Sequence, residues 1–273
     1  MNEIIALVLL ACIQGFTEFL PVSSSGHLAL TQYFIGWPNN NPLFFDVLLH
    51  FGTFLSTLYF FRKKLVELLK EFFIFIKKPS LFFSEKDGYI LSGIIIATIP
   101  TGIIGLALKS LVENMVSSVW LLAPSFLITG IFLIISEKFS SKKSSYKTNI
   151  SLADSLFVGI VQGIAAIPGV SRSGSTIAYL LLRGYKPSIA FLFSFLISLP
   201  AVFGANLLEI RHAFSDNLFK PIYLIGIIIS FITGVLALKI LRMSIDRKKL
   251  GFFGYYLLAI GIFITYIFII KQK

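Results

Sequence analysis

Residues 14 to 27 read QGFTEFLPVSSSGH and residues 168 to 176 read PGVSRSGST, two polar interruptions in an otherwise intensely apolar chain. The first offers a carboxylate (Glu18), an amide (Gln14), three consecutive hydroxyls (Ser23, Ser24, Ser25) and an imidazole (His27). The second sets one guanidinium, Arg172, among Ser171, Ser173, Ser175 and Thr176. A guanidinium among hydroxyls, beside glycine-bearing turns that open onto helix N-termini near 28 and 175, suits a phosphate group. Bidentate N–H donors, hydroxyl donors and the positive helix ends all favour an anion there. The first cluster adds what phosphoryl transfer needs besides a clamp: a nucleophile in Ser24 or a neighbouring serine, and proton carriers in Glu18 and His27.

Each group also has a plainer reading. Serines in such turns satisfy freed backbone groups, Glu18 can sit at an interface, and His27 can partner a helix cap. Arg172 resists this treatment, because an unpaired Arg at membrane depth costs at least ~2.5–3.5 kcal/mol. Asp46 and His50 share a helix face at i and i+4, where they either touch the site or merely cap and snorkel. His212, beside Arg211, reads as solvated.

These clusters need a scaffold, and the composition says which kind. With 273 residues, 56% hydrophobic and 14% charged, and a mean hydropathy of +0.87, the chain carries more apolar surface than a soluble core can hide. It reads as an integral membrane protein. The opening MNEII lacks the basic region of a removable signal peptide. A single cysteine, Cys12, excludes an internal disulfide and reads as a spectator thiol. Six stretches reach the about 20 residues a spanning helix requires: 43 to 61, 89 to 108, 118 to 136, 188 to 208, 221 to 241 and 250 to 270. Two shorter apolar runs, 4 to 17 and 155 to 170, are each followed by a polar turn and a second short run, 28 to 36 and 175 to 182. They predict two re-entrant helical hairpins.

Basic residues set the orientation. The expected loops at 62 to 86, 137 to 149 and 239 to 249, with Arg183 and Lys186, hold 18 Lys and Arg; the opposite side holds Lys109, Arg211, Lys220, Lys271 and Lys273. The richer side is predicted to be cytoplasmic, and the net charge of +11 is a topology signal rather than a nucleic-acid footprint. Trp37 and Trp120 fall near outer ends of spans, as interfacial aromatics should. The first hairpin then enters from outside and the second from inside. Each half, about 1–137 and 150–273, comprises one hairpin and three spans, so the second half is inverted relative to the first. At an offset of 148, residues 14 to 26 and 162 to 174 share six of 13 positions without a gap. The expected fold is therefore an all-α polytopic membrane protein, six transmembrane helices plus two re-entrant hairpins in an inverted-topology repeat. Its polar turns face each other where such folds bind ligands.

QGFTEFLPVSSSGH and PGVSRSGST resemble the paired signature motifs of the bacterial undecaprenyl-diphosphate phosphatases, the bacitracin-resistance phosphatases, and the similarity extends over the whole chain, FDVLLHFGT at 45 to 53 included. The resemblance implies hydrolysis of undecaprenyl diphosphate to undecaprenyl phosphate and inorganic phosphate, which recycles the carrier for peptidoglycan, and resistance to bacitracin, which sequesters the diphosphate. It further implies a multi-pass protein of the plasma (inner) membrane, a site opening to the periplasmic side, a divalent cation such as Mg2+ or Ca2+, and a homodimer. Carried onto this chain, the functional residues are Glu18, Ser23, Ser24, Ser25, His27, Ser171, Arg172, Ser173 and Thr176. Where the family begins its first motif with Glu or Gln, this chain has Gln14, which cannot act as a base and is cast as a substrate-binding, hydrogen-bonding or metal-orienting residue; carboxylate chemistry falls to Glu18, the expected metal ligand. The nucleophile stays open between Ser24, His27 and an activated water. Two other readings compete. Type 2 phosphatidic acid phosphatases place a histidine shortly after the second Arg, whereas here His212 is the next one; a polyprenyl-phosphate flippase or anion transporter fits the architecture but needs no nucleophile.

Overall fold

The computed structural model describes residues 2–36, 42–83, 85–116, 119–140, 145–215 and 221–271. Trp37, Lys142, Lys143, Lys220 and Lys273, and the side chains of Arg211 and His212, lie outside the described residues. Among the described residues are eleven α-helices and no strand beyond an isolated bridge between Lys147 and Tyr185. In chain order they are α1 (Glu3–Phe19), α2 (Ser24–Ile35), α3 (Pro42–Lys77), α4 (Lys86–Ala107), α5 (Lys109–Val116), α6 (Leu122–Ser140), α7 (Leu152–Ile164), α8 (Arg172–Leu182), α9 (Pro187–Ser215), α10 (Tyr223–Asp246) and α11 (Gly251–Lys271).

Five segments are long and apolar enough to cross a membrane: Asp87–Ala107, Val119–Ser140, Pro187–Leu207, Tyr223–Asp246 and Gly251–Lys271. They cover five of the six expected spans. The sixth, 43 to 61, lies in the N-terminal part of α3. The expected loop at 62 to 86 is a correction: helix continues to Lys77 and a 3-10 turn follows over Pro79–Phe83. Nothing in KKLVELLKEFFIFIKK breaks a helix, Lys64 pairs with Glu67 one turn on at 3.3 Å, and Pro79 supplies the stop.

The packing runs in matched pairs. α1 lies against α2 and α10, α7 against α8 and α4; α3 lies against α10, α9 against α4; α6 and α11 face each other. Close crossing is permitted at the same place in each half. A Cβ on Gly15 would come 1.8 Å from Thr233 Oγ1 of α10, and one on Gly163 would come 2.7 Å from Ile104 Cβ of α4.

The two ends of the bundle differ chemically. At one end, Tyr33 of α2, Trp120 before α6 and the end of α11 meet. Trp120 lies 5.7 Å from Tyr33 and 5.4 Å from Phe268, and Lys271 Nζ donates to Tyr33 Oη at 2.6 Å while lying 5.0 Å from the Tyr33 ring centre. Cation–π contact thus accommodates a basic residue on the side that the charge rule leaves nearly empty. At the other end, the segments after α6, α8 and α10 converge around Glu137, Tyr146 and Lys248.

That second end is tied down by Asp154, which is 1% exposed. Its carboxylate accepts from Ser151 Oγ at 2.8 Å, Tyr185 Oη at 2.7 Å, Arg183 Nε at 2.5 Å and Tyr179 Oη at 3.1 Å. Ser151 also caps α7 by accepting from the Asp154 N–H at 3.1 Å. Asp154→Asn keeps the shape but removes the charge that these donors share, and thermal unfolding of the detergent-solubilised protein is expected to register a loss of about 2 kcal/mol.

Candidate active site

The polar turns shape both short helices. In each, a serine immediately before the helix is the N-cap: Ser23 Oγ accepts from the Gly26 N–H at 3.4 Å and Ser171 Oγ from the Gly174 N–H at 3.1 Å. The offset of 148 found in the sequence relates these two caps. Because of them α2 begins at Ser24 and α8 at Arg172, not near 28 and 175 as expected. Ser24 and Arg172 are therefore first-turn residues, at the positive ends of their helices.

The two tips touch. A Cβ on Gly26 would lie 3.2 Å from Gly169 Cα, and one on Gly174 would lie 3.0 Å from Pro21 Cβ. Across this contact, Arg172 Nη2 pairs with Glu18 Oε1, both side chains largely buried. The other oxygen, Glu18 Oε2, accepts from Ser24 Oγ at 2.7 Å and from Gln14 Nε2 at 3.1 Å. Gln14 and Glu18 reach it together because they are one turn apart on α1. A hydroxyl bonded to a carboxylate that is itself oriented by a cation is a nucleophile–base arrangement.

Of Asp46 and His50, left undecided by the sequence, His50 resolves toward the site and Asp46 toward α2. His50 Nδ1 lies 2.9 Å from Gln14 Nε2 and 3.3 Å from Glu18 Oε2, and Asp46 accepts from Gln32 of α2 at 2.8 Å. His50 Nδ1 thus sits between the Gln14 amide and the Glu18 carboxylate. His50 is a residue the sequence list omitted, and only its spacing from Asp46 hinted at it.

The remaining candidates divide. Ser24, Ser25 and Arg172 keep partial exposure, whereas Ser23, Ser171, Ser173 and Thr176 are buried. Ser171 and Ser173 approach each other at 3.3 Å, and Ser23 and Ser25 at 3.5 Å. Thr176 donates to the Arg172 carbonyl at 2.8 Å and meets Ser194 of α9 at 2.6 Å, so it braces α8 from behind. His27 stands apart from Glu18 in bonding. Its Nδ1 is 2.8 Å from the Ser23 carbonyl and its Nε2 2.8 Å from Tyr256 Oη of α11, a residue that carried no sequence signal. Ser23 is also one of two non-glycine residues with positive φ among the described residues, at 70°. Such strain persists only where surrounding bonds hold it, and it concentrates at functional sites.

A hard divalent cation takes one or two protein oxygens and completes its shell with phosphate and water. Among the described residues no group of three His, Cys, Asp or Glu could hold a metal ion. Gln14 Oε1, however, is buried beside Glu18 without a hydrogen-bond partner. One carboxylate plus that oxygen fits a cation that arrives with the substrate.

Comparison with known proteins supplies the family. The model of the bacitracin resistance protein BacA matches residues 7–263. The chain belongs to the BacA family. Its relatives include a protein of Alkaliphilus metalliredigens, 41% identical over 261 residues, 93% of this chain and 94% of that one. A protein of Halothermothrix orenii is 38% identical over 265 residues (96% and 97%), and one of Treponema denticola 39% over 264 residues (95% and 96%). All three carry the name undecaprenyl-diphosphatase. As a BacA protein, the chain places Glu18, Ser24 and Arg172 in one connected cluster at the meeting of its two hairpins.

Proposed function

We propose that this BacA protein hydrolyses undecaprenyl diphosphate to undecaprenyl phosphate and inorganic phosphate, returning the carrier to peptidoglycan synthesis and thereby conferring bacitracin resistance. The observation that carries this reading is the connection Ser24–Glu18–Arg172, which joins a hydroxyl, a base and an anion-binding cation across two segments about 150 residues apart. The names of its relatives point to the same reaction.

In the proposed mechanism the terminal phosphate displaces Glu18 from part of the Arg172 guanidinium and settles between Arg172 and the N-termini of α2 and α8. Ser24 Oγ attacks the terminal phosphorus as its proton passes to Glu18 Oε2. The bond to the bridging oxygen breaks and undecaprenyl phosphate leaves; water then cleaves the phosphoserine. Glu18 and Gln14 Oε1 would hold Mg2+ or Ca2+, which would neutralise charge on the diphosphate. Ser23, Ser25, Ser171 and Ser173 shape the turns around the anion.

The same reading sets the architecture: six spans, the N-terminal part of α3 being the sixth, and two re-entrant hairpins in inverted halves of about 1–137 and 150–273. The matched helix pairings and matched serine caps support it. With the Lys- and Arg-rich end in the cytoplasm of a plasma-membrane protein, the first hairpin opens the site outward.

Phosphate release from a polyprenyl diphosphate by purified protein tests the function, with and without EDTA. Ser24→Ala is expected to lower turnover by at least ~10³-fold, and EDTA to suppress it until Mg2+ or Ca2+ is restored. A phosphoenzyme mapped to His27, or near-normal turnover by Ser24→Ala, would sink the serine mechanism. No release under any metal condition would leave lipid flipping or anion transport, which the inverted halves also suit.

A further inference from the structure

Tyr256 belongs to no motif of the sequence, yet it bonds to the one imidazole of the first hairpin. A carbonyl oxygen only accepts, so the 2.8 Å contact between His27 Nδ1 and the Ser23 carbonyl fixes the ring proton on Nδ1. In the neutral ring Nε2 is then the lone-pair nitrogen, and the Tyr256 hydroxyl that faces it at 2.8 Å donates to it. Two aromatic contacts hold the ring in this attitude. Tyr256 stacks on it at 12° and 5.7 Å between centres, and Phe126 of α6 meets it edge-on at 74° and 5.5 Å. The backbone that supplies the carbonyl is itself held at positive φ in Ser23. Three elements, α2, α6 and α11, thus converge to fix one tautomer and one orientation of a residue a single turn beyond Ser24.

That expenditure of contacts is hard to account for if His27 only packs. A histidine serving as a helix-cap partner needs its Nδ1 bond and no second partner on Nε2. Tyr256, 43% exposed, reaches His27 from α11 across the seam between α2 and α11.

We propose that Tyr256 is a positioning residue of the active site, acting through His27: its hydroxyl keeps the imidazole neutral at Nε2, in one tautomer, and aimed along the seam between α2 and α11. This rests on the phosphatase reading above. Water attack on the phosphoserine needs a proton carrier besides Glu18, and His27, one turn beyond Ser24, holds its basic nitrogen, Nε2, under the Tyr256 hydroxyl, which must give way for it to take that proton.

Nitrogen-15 spectra of histidine-labelled protein, alongside kcat and KM, test the proposal. In the native protein one histidine, identified by its loss in His27→Asn, is expected to show a single Nδ1–H tautomer. Tyr256→Phe retains the ring stack and removes only the hydroxyl. It is expected to let the His27 signals move toward tautomer averaging and to lower kcat about tenfold, a part of the ~10²–10⁴ that general acid–base catalysis contributes, with KM changed less than twofold. An unchanged His27 spectrum in Tyr256→Phe, or an altered spectrum with native kcat, overturns the role. Because the spectra need no turnover, a native protein that releases no phosphate would refute the phosphatase reading while the tautomer result still stood.

Discussion

Arg172→Ala is expected to lower phosphate release from a polyprenyl diphosphate by at least ~10³-fold, through kcat and KM together. Two losses combine. Among the described residues the guanidinium is the one permanent cation paired with Glu18; His50, 3.3 Å away, contributes charge only if protonated. Its removal takes away the bidentate donor for the diphosphate, and removing a single preorganised donor to a developing oxyanion already costs ~10²–10³ in rate. It also leaves the Glu18 carboxylate, 8% exposed, buried without its partner, a situation that costs about 3–5 kcal/mol elsewhere. A variant that simply misfolds would be uninformative, so Arg172→Lys is the companion. It keeps the charge and the fold but not the planar fork, and is expected to match the native melting temperature while turning over at least tenfold more slowly. Arg172→Ala retaining a tenth of native activity would remove Arg172 from the anion site.

The same residue shows what the sequence disclosed and where it stopped. Arg172 was conspicuous because a guanidinium inside an apolar chain is expensive, which is a local argument needing no coordinates. Its partner was not legible, since Glu18 lies 154 positions away and only the approach of the two tips joins them. The helices start a few residues earlier than expected because Ser23 and Ser171 cap α2 and α8 directly and draw the polar residues after them into the first helical turn. α3 ran on past its expected end because an amphipathic, charge-paired continuation resembles a loop when charge alone is counted. His50 was half visible through its spacing from Asp46. Tyr256 was invisible, because a tyrosine in a spanning helix is ordinary until tertiary packing sets a histidine against it. Thr176, which reads as a ligand in a motif of serines, bonds to Arg172's own carbonyl and to Ser194, contacts no sequence spacing announces.

Gly169→Ala should do to the scaffold what Arg172→Ala does to the chemistry. Gly169 sits in the turn that delivers α8, with φ at +87°, a region where an L side chain costs roughly 1–2 kcal/mol. Space is lacking as well. The new Cβ would lie 2.7 Å from Ser125 Cβ and 3.0 Å from the Leu122 carbonyl oxygen of α6, and backbone cannot rotate out of the way as a side-chain end can. The turn must then shift, either away from α6 or onto the first hairpin, whose Gly26 faces Gly169 Cα. A few kcal/mol of destabilisation is expected, read as a fall of about 10 °C in melting temperature. Turnover should fall with it even at temperatures where the variant is folded, because Arg172 opens α8 three residues later and a shift of 1 Å separates it from Glu18 and Ser24. Gly102→Ala provides the control: a Cβ there meets nothing within 4 Å, so α4 should gain slightly from better helix propensity. If Gly169→Ala melts with Gly102→Ala, the two tips are not held by close backbone contact, and the alignment of Arg172 on Glu18 must have another cause.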